Sequence, residues 1–309
     1  MVFELYPLRF SFVAREELYF PAGKSANILR GAFGTIFRKI ACVPECPGAR
    51  DCEWRTTCPY ARMFEPRAEA EGPSGLADWP RPFVFRAMHL DDRRVASGEH
   101  FHFDLHLFDL QSSAVAYLVL AFAQLAREGL GPTRGRVELI DVVQLDEQHC
   151  PAPSLYDGGS LKQAAAPLAI DLASGVPAIR VRVHFLTPTE LKSGQEIAPQ
   201  PEFAILAARA RDRVSALRGF YGPGPLDIDF RGFGERAARV RMVRHKLRQV
   251  QVARRSSRTG QTHPLGGFTG EAEYDGDLTE FEPYLCAAEW TGVGRQTVWG
   301  KGAIRVEVL

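Results

Sequence analysis

The chain has 309 residues, of which 45% are hydrophobic and 24% are charged, and its formal net charge is +1 at pH 7. This composition is that of a folded protein with an ordinary core and excludes an intrinsically disordered chain, and the length favours two domains. Because the sequence has neither a run of 18 apolar residues nor a signal-peptide pattern, we expect a cytoplasmic protein without a membrane span.

The first half of the chain predicts the order strand, helix, two strands, helix, strand. Apolar residues alternate in the strands and recur at helical spacing in the helices. Gly129 is a helix stop. The predicted elements are a strand at 1–12, a helix from a Ser25 N-cap to about Ile40, strands at 83–88 and about 100–107, a helix from Ser112 or Ser113 to Glu128, and a strand at 137–145.

The second half repeats this plan after a stretch at 146–165 that is rich in Pro, Gly, Ser and Asp and is a candidate linker. The predicted elements are a strand at 178–186, a helix at 202–218 ended by Gly219, strands at 239–253 and 268–274, a helix at 280–289, and a final strand at 303–309.

Each half therefore has the βαββαβ order of a ferredoxin-like domain. We predict an α+β fold of two tandem ferredoxin-like (RRM-like) domains. The first spans residues 1–150 and carries a Cys-rich insertion at 42–66. The second spans residues 166–309 and carries a glycine-rich loop at 291–302.

The glycine-rich loop is the most informative local motif. Its glycines permit a positive φ and close approach of the backbone, and its polar and basic residues suit a phosphate group. No Lys-Ser or Lys-Thr pair and no long helix follow it, so a P-loop and a Rossmann turn are excluded. We predict that it binds a nucleic-acid backbone through Gly292, Gly294, Arg295, Gln296, Thr297 and Lys301.

A basic run at 236–258 contains nine cations and no acid. Part of the run alternates with apolar residues, which is typical of a strand with a cationic face that binds phosphates. The alternative is a solvated strand face balanced by acids elsewhere in the chain. The candidate RNA contacts in this run, which begins at Arg236, are Arg239, Arg241, Arg244, Lys246, Arg248, Arg254, Arg255 and Arg258.

Four cysteines, Cys42, Cys46, Cys52 and Cys58, lie within 17 residues and could hold a structural zinc ion. An iron–sulfur cluster, two disulfides and unconnected thiols are the alternatives. We predict no cofactor for catalysis.

Histidines offer candidate acids and bases. His245 lies in the basic run and His263 precedes a Gly-Gly pair, and either could transfer a proton beside a bound phosphate. A non-catalytic role is the alternative for each. His100, His102 and His106 share one face of a predicted strand, where we expect them to be solvated.

Motifs across nearly the whole chain resemble those of the CRISPR precursor-RNA-processing endoribonucleases of the RAMP (repeat-associated mysterious protein) superfamily. The matching segments are Leu29–Gly34, Cys58–Pro66, Gly129–Arg136, Leu186–Lys192, Arg255–Arg258, Pro264–Gly270 and Val293–Gly302. The resemblance implies a CRISPR repeat-RNA ligand. It also implies metal-independent cleavage in which the 2′-hydroxyl attacks the adjacent phosphate and leaves a 2′,3′-cyclic phosphate.

Members of this family often use a histidine in or just after the first helix, with a Lys or Tyr nearby. This chain has no histidine between Lys24 and Pro82. Lys24 and Lys39, which border the first helix, could stabilise charge, and ordinary surface lysines are the alternative. His245 or His263 could replace the missing histidine. Otherwise this member cleaves weakly or not at all.

Three hypotheses follow. The first is a repeat-RNA endoribonuclease, and the second is a non-catalytic RAMP subunit that binds guide RNA in a CRISPR effector complex. The third is a metalloenzyme that uses the His and Cys clusters. The expected partners are CRISPR repeat RNA and other effector subunits, and we expect a monomer or a homodimer.

Overall fold

A computed structural model describes residues 1–42, 46, 52–66, 79–163, 165–251, 253–255, 262–264 and 266–309. The chain forms two compact units. The N-terminal unit contains residues 4–168 and 220–222, and the C-terminal unit contains residues 1–3, 169–219 and 223–309.

The elements up to residue 171 follow the predicted order with short additions. The helices are α1 (Ser25–Ala41), α2 (Pro59–Phe64) and α3 (Ser112–Glu128). The strands are β1 (Val2–Ala14), β2 (Leu18–Phe20), β3 (Phe83–Arg86), β4 (Arg93–Val95), β5 (His100–Leu107), β6 (Val137–Leu145), β7 (Pro151–Tyr156) and β8 (Leu168–Asp171).

The later elements end with the short strand that follows the glycine-rich loop. The helices are α4 (Phe203–Tyr221), α5 (Phe230–Ala237) and α6 (Glu282–Thr291). The strands are β9 (Arg180–Thr189), β10 (Lys192–Ser193), β11 (Glu196–Ile197), β12 (Arg241–Val250), β13 (Ala253–Arg255), β14 (Thr262–Pro264), β15 (Gly267–Asp275) and β16 (Ile304–Val308).

Both units have the same sheet topology. The first sheet has the order β3-β5-β1-β6, extended by β7, with β8 also paired to β1, and the second has the order β12-β15-β9-β16. If the four main strands of each unit are counted along the chain, both orders are 2-3-1-4. All the registers determined between these main strands are antiparallel. This topology confirms the prediction of two ferredoxin-like domains.

The core of the N-terminal unit is aromatic. Phe33 of α1 is fully buried, and its ring centroid lies 5.1 Å from those of Phe64 and Phe122 and 5.7 Å from that of Phe83. The α1 stripe that includes Leu29 and Phe33 recurs at helical spacing, as the sequence predicts. Burial of these rings stabilises the packing of α1 and α3 on the sheet.

The beginning of α1 differs from the prediction. Lys24, rather than Ser25, is the N-cap residue, and its side chain makes no capping hydrogen bond. The Ser25 hydroxyl instead donates to the carbonyl of Ala87 at 2.7 Å and to Asp91 Oδ1 at 2.5 Å. Asp91 also accepts from the Ser25 backbone N–H at 3.0 Å, so a distant carboxylate satisfies this helix terminus.

Three further differences concern element boundaries. Part of the expected linker forms β7, which pairs with β6. Helix α4 continues past Gly219 to Tyr221, and α5 was missed because its eight residues include two glycines. None of the helices in the described part of the chain is both long enough and apolar enough to cross a lipid bilayer.

Candidate nucleic-acid interface

The C-terminal sheet has one apolar and one charged face. Val181, Val183, Ala272 and Tyr274 are fully buried on the apolar face. Because strand side chains alternate between faces, the intervening residues of β12, β15, β9 and β16 project from the opposite face. The register places those residues in cross-strand rows of acids and bases.

The first row consists of Arg244, Glu273, Arg182 and Glu307. Arg182 donates to Glu273 Oε1 at 3.1 and 2.9 Å and to Glu307 Oε2 at 2.9 Å. Arg180 also reaches Glu273 Oε2 at 3.3 Å. The hydrogen bonds from Arg182, supported by the nearby charges of Arg182, Arg180 and Arg244, lower the pKa of Glu273. These charges largely neutralise one another.

The next row consists of Lys246, Glu271, His184 and Arg305. His184 Nδ1 lies 3.6 Å from Glu271, and its Nε2 lies 3.6 Å from Glu307. Lys246 and Arg305 are exposed, as is Arg248 one row further along β12. None of these three cations forms an ion pair with another residue in the described ranges. They are therefore available to an anionic ligand.

The rest of the basic run divides into paired and exposed cations. Arg236 donates two hydrogen bonds of 2.6 Å to Glu280, and Arg241 lies 3.5 Å from Asp275. Arg239 is exposed. Acids that are distant in sequence thus compensate part of the run, as the alternative interpretation expects.

Three predicted RNA contacts cannot be placed by their side chains. Arg254 lies in β13, which pairs with β14, and Arg255 follows it in the same strand. The side chains of both lie outside the described residues, and so does Arg258 as a whole.

The glycine-rich loop packs closely against the end of β9. Gly294 has a φ of +79°, and a Cβ there would lie 2.3 Å from the carbonyl oxygen of Glu190. The Arg295 N–H donates to that same carbonyl at 3.0 Å, and the Arg295 guanidinium binds the Glu190 carboxylate. Gly302 similarly approaches the backbone of Val293, so only glycine fits at either position.

The predicted RNA contacts in this loop differ in exposure. Arg295 is exposed, whereas Gly292, Thr297 and Lys301 are buried and Gly294 and Gln296 are half-buried. Gln296 adopts a left-handed conformation with a φ of 64°. Arg295 is consequently the cation that this loop presents at the surface.

The candidate catalytic residues lie at the two ends of α1 and on two strands of the C-terminal unit. Lys24 is exposed at the beginning of α1, and Lys39 lies near the end of the same helix, paired with Glu128 at 2.7 Å. His245 is exposed on β12, opposite Ala272 of β15 and therefore on the apolar side of the sheet. His263 lies in β14, where its side chain is outside the described residues.

The histidines of β5 are less solvated than the sequence suggests. His106 is only 2% exposed, which contradicts the expectation for this position. The ring of His102 stacks on that of His89 with centroids 4.6 Å apart. Burial, together with the positive charge of His89 and Arg9, lowers the pKa of His102.

The cysteine cluster partly converges. The Cys42 side chain lies near those of Cys46 and Cys58, and burial, followed by the influence of these two thiols, raises its pKa to about 12. Cys52 is half-buried and is not among the groups that affect Cys42. Within the described ranges, no group of three or more His, Cys, Asp or Glu side chains is already arranged to hold a metal ion.

The sequence analysis missed several residues of the charged face. Arg182, His184 and Arg305 alternate with apolar residues along β9 and β16. That period of two was visible in the sequence, but the mixed charges hid its relation to the basic run. The pairing of Glu190 with Arg295 had no sequence signal because 105 positions separate the two residues.

Comparisons with known proteins account for both units. Residues 3–168 match the family described as AF_1859_N, N-terminal domain. Residues 183–304 match the family described as CRISPR-associated endoribonuclease Cas6. Residues 183–304 therefore belong to the Cas6 family of CRISPR-associated endoribonucleases. This membership confirms the resemblance found in the sequence motifs, and no curated protein sequence matches the chain.

Solved structures of Cas6 proteins share the fold. The Thermus thermophilus Cas6 TTHB231 has a TM-score of 0.54 at 16% identity, with 98% of each chain covered. Its product complex gives a TM-score of 0.59 at 17% identity, covering 98% of this chain and 99% of the other. The product complex of a second Cas6, TTHA0078, gives 0.54 at 19% identity, covering 99% and 100%. At these identities, the similarity establishes a common fold.

Proposed function

We propose that this Cas6-family protein cuts CRISPR repeat RNA by using the ribose 2′-hydroxyl as the nucleophile. The observation that carries the proposal is the set of exposed cations on the C-terminal sheet, Lys246, Arg248 and Arg305, which lack ion-pair partners in the described ranges. A cationic strip of this kind favours a phosphate backbone. Arg295 adds a further exposed cation at the glycine-rich loop.

The proposed reaction needs proton transfer and stabilisation of charge. A base removes the 2′-OH proton, O2′ bonds to the adjacent phosphorus, and the bond from phosphorus to O5′ breaks as an acid delivers a proton to O5′. The products are a 2′,3′-cyclic phosphate and a 5′-hydroxyl. Imidazole suits either proton transfer near neutral pH, and an ammonium group stabilises the developing negative charge.

Among the candidate residues, His245 and His263 are the proposed acid or base, and Lys24 is the proposed source of positive charge. His245 is exposed and lies one residue from Lys246, although the two project from opposite sides of β12. Lys24 is exposed and its ammonium group has no ion-pair partner among the described residues. Lys39 is the weaker candidate because Glu128 binds it.

A second candidate function is RNA binding without cleavage, as a subunit of a CRISPR effector complex. The observation that favours it is the absence of histidine from the sequence between Lys24 and Pro82, around the first helix. The same cationic face would then hold the guide RNA. We propose other CRISPR effector subunits as its partners, and a monomer or a homodimer as its oligomeric state.

Cys42, Cys46, Cys52 and Cys58 are proposed to hold a structural zinc ion that takes no part in the cleavage. The proximity of Cys42 to Cys46 and Cys58 supports this role. Thiolates suit zinc, and an iron–sulfur cluster would use the same donors.

One experiment separates the two candidate functions. Purified protein is incubated in EDTA with labelled repeat RNA from its own genome, or with the same RNA carrying 2′-deoxyribose at the cleavage site. Cleavage of the first RNA alone, with a cyclic phosphate on the product, supports the endoribonuclease. Tight binding without cleavage supports the non-catalytic subunit, and cleavage of the deoxy substrate contradicts the 2′-hydroxyl mechanism.

A further inference from the structure

The C-terminal unit contains a cavity of about 310 Å³ at the end of its sheet where β9 and β12 finish and β15 begins. Its walls come from residues 189–190, 197–199, 249–251 and 266–268. Ligand pockets usually span roughly 300 to 1,000 Å³, so this cavity has room for a single small group.

The lining combines apolar walls with a few polar side chains. Phe268 is 2% exposed at the inner wall, whereas Ile197 is 52% exposed, and Val250 also contributes. The side-chain amides of Gln249 and Gln251 make no hydrogen bond with any residue in the described ranges. Each amide can donate and accept, which suits the edge of a heteroaromatic ring.

Backbone packing rather than side chains forms the wall at the beginning of β15. A Cβ on Gly267 would lie 2.4 Å from the carbonyl oxygen of Thr189, and one on Gly266 would lie 2.7 Å from that of Val250. Larger residues at these two positions would displace the strands around the cavity. The two glycines thus allow the backbone at the beginning of β15 to lie close to the ends of β9 and β12.

Glu190 connects the cavity with the glycine-rich loop. It lines the cavity, and its carboxylate and carbonyl oxygen hold Arg295 by its guanidinium and N–H groups. Arg295 is exposed, and its guanidinium uses one N–H for the Glu190 carboxylate, so its remaining donors stand beside an apolar recess. A nucleotide is complementary to this arrangement, because it has a charged phosphate next to a base with apolar faces and polar edges.

We infer that this cavity takes one unstacked base of the bound RNA, with Arg295 beside the phosphate of that nucleotide. The inference rests on the proposed RNA-binding function and adds a site that reads a single base. Ile197, Val250 and Phe268 pack against the base, and Gln249 and Gln251 contact its hydrogen-bonding edge. The amides give preference among bases because a mismatched edge leaves them unpaired.

The test is an abasic scan of the repeat RNA with wild-type protein, Ile197→Trp and Ile179→Trp. Ile197→Trp fills the recess. Ile179, which is 78% exposed, precedes the opposite end of β9 and supplies a matched control. One abasic position should weaken wild-type and Ile179→Trp binding by about tenfold and leave Ile197→Trp binding unchanged. The inference would be overturned if every abasic position changed wild-type affinity equally, or if the same position weakened binding by Ile197→Trp as much as by the wild type.

Two further measurements keep this result separate from the proposed function. Gln251→Leu preserves much of the side-chain volume, and it should reduce the preference for one base at the same RNA position. If neither the wild type nor any variant binds repeat RNA, the proposed function fails. NMR titration with the four nucleoside 5′-monophosphates then tests independently whether the cavity binds a nucleotide. Saturable binding to the wild type but not to Ile197→Trp supports the site, and no binding to the wild type overturns it.

Discussion

Lys39 donates a hydrogen bond from Nζ to Glu128 Oε2 at 2.7 Å, which ties the end of α1 to the end of α3. This bond, together with one from Gln124, lowers the pKa of Glu128. Lys24 lies 15 positions earlier, and a helical rise of about 1.5 Å per residue places the two lysines about 22 Å apart. The two ammonium groups therefore cannot stabilise charge on the same phosphate.

We predict that Lys24→Ala lowers the single-turnover rate of repeat-RNA cleavage by about 100-fold, whereas Lys39→Ala changes it by less than about threefold. The physical reason is that Lys24 is exposed without an ion-pair partner in the described ranges, whereas Lys39 forms an ion pair with Glu128. Glu128→Gln serves as a control for the broken pair. A roughly 100-fold loss of cleavage rate in Lys39→Ala, with little loss in Lys24→Ala, would instead place the reaction near the end of α1.

The charged face of the C-terminal sheet predicts which of its cations bind RNA. Lys246→Gln, Arg248→Gln and Arg305→Gln should each weaken RNA binding and reduce the slope of log Kd against log salt concentration by about 0.7. Arg236→Gln is the matched control, because Glu280 already binds that guanidinium with two hydrogen bonds. Equal slopes for Lys246→Gln and the wild type would exclude a phosphate contact at that position.

Glu273 predicts a pH dependence of stability. Its side chain is 8% exposed, and hydrogen bonds from Arg182, with the charges of Arg182, Arg180 and Arg244, lower its pKa in the folded protein. A lowered folded pKa stabilises the fold above the unfolded value of about 4.3, and this contribution is lost as pH falls through the folded pKa. Thermal unfolding of Glu273→Gln should therefore depend less on pH than that of the wild type below about pH 5.

The comparison is made between Glu273→Gln and Glu307→Gln, because Glu307 binds Arg182 from the neighbouring strand but is 49% exposed. The stability of Glu307→Gln should follow the wild-type pH profile more closely, since solvent screens the ion pair of Glu307 with Arg182. Identical acid profiles for Glu273→Gln and the wild type would contradict the role of this buried carboxylate.

The cysteine cluster predicts one zinc ion per chain in the purified protein, measured by elemental analysis. Cys42→Ser should lose the metal and lower the melting temperature, because Cys42 contacts both Cys46 and Cys58. Cys150→Ser is the control, since Cys150 is exposed and lies outside the cluster. Iron with sulfide would indicate a cluster instead, and metal-free wild-type protein with the same stability would contradict a metal site.

The sequence predicted the architecture because its signals are periodic and repeated. Apolar spacing identified α1 and α3, and the repeated element order identified two ferredoxin-like units, which the two sheets confirm. Predictions from local sequence patterns failed where a side chain distant in sequence made the hydrogen bond expected of a nearby one. Asp91 takes the part expected of the Ser25 side chain at the beginning of α1, and no local pattern contains that contact.

The candidate interface was predicted only in part for the same reason. The sequence identified the cations of α5 and β12 but not the acids that compensate them, because Glu273 and Glu280 lie later in the chain. Cross-strand register decides which cations remain unpaired, and the alternation within one strand does not encode that register. The cavity beside Glu190 likewise depends on segments that are brought together only in the folded unit.

The glycine-rich loop gives a prediction about backbone conformation. Gly294→Ala puts a Cβ at a φ of +79° and 2.3 Å from the Glu190 carbonyl, so it must distort the contact that holds Arg295. We expect a loss of about 1–3 kcal/mol in the free energy of unfolding and weaker RNA binding. Urea denaturation and RNA titration measure the two effects.

Gly31→Ala provides the contrast for the same chemical change. Gly31 lies inside α1, and its added Cβ would meet no atom within 4 Å. Alanine loses less conformational freedom than glycine when a helix forms, so this variant should gain about 0.5–1 kcal/mol and bind RNA normally. If Gly294→Ala behaved like Gly31→Ala, the close approach of the loop to Glu190 would be unnecessary for both stability and RNA binding.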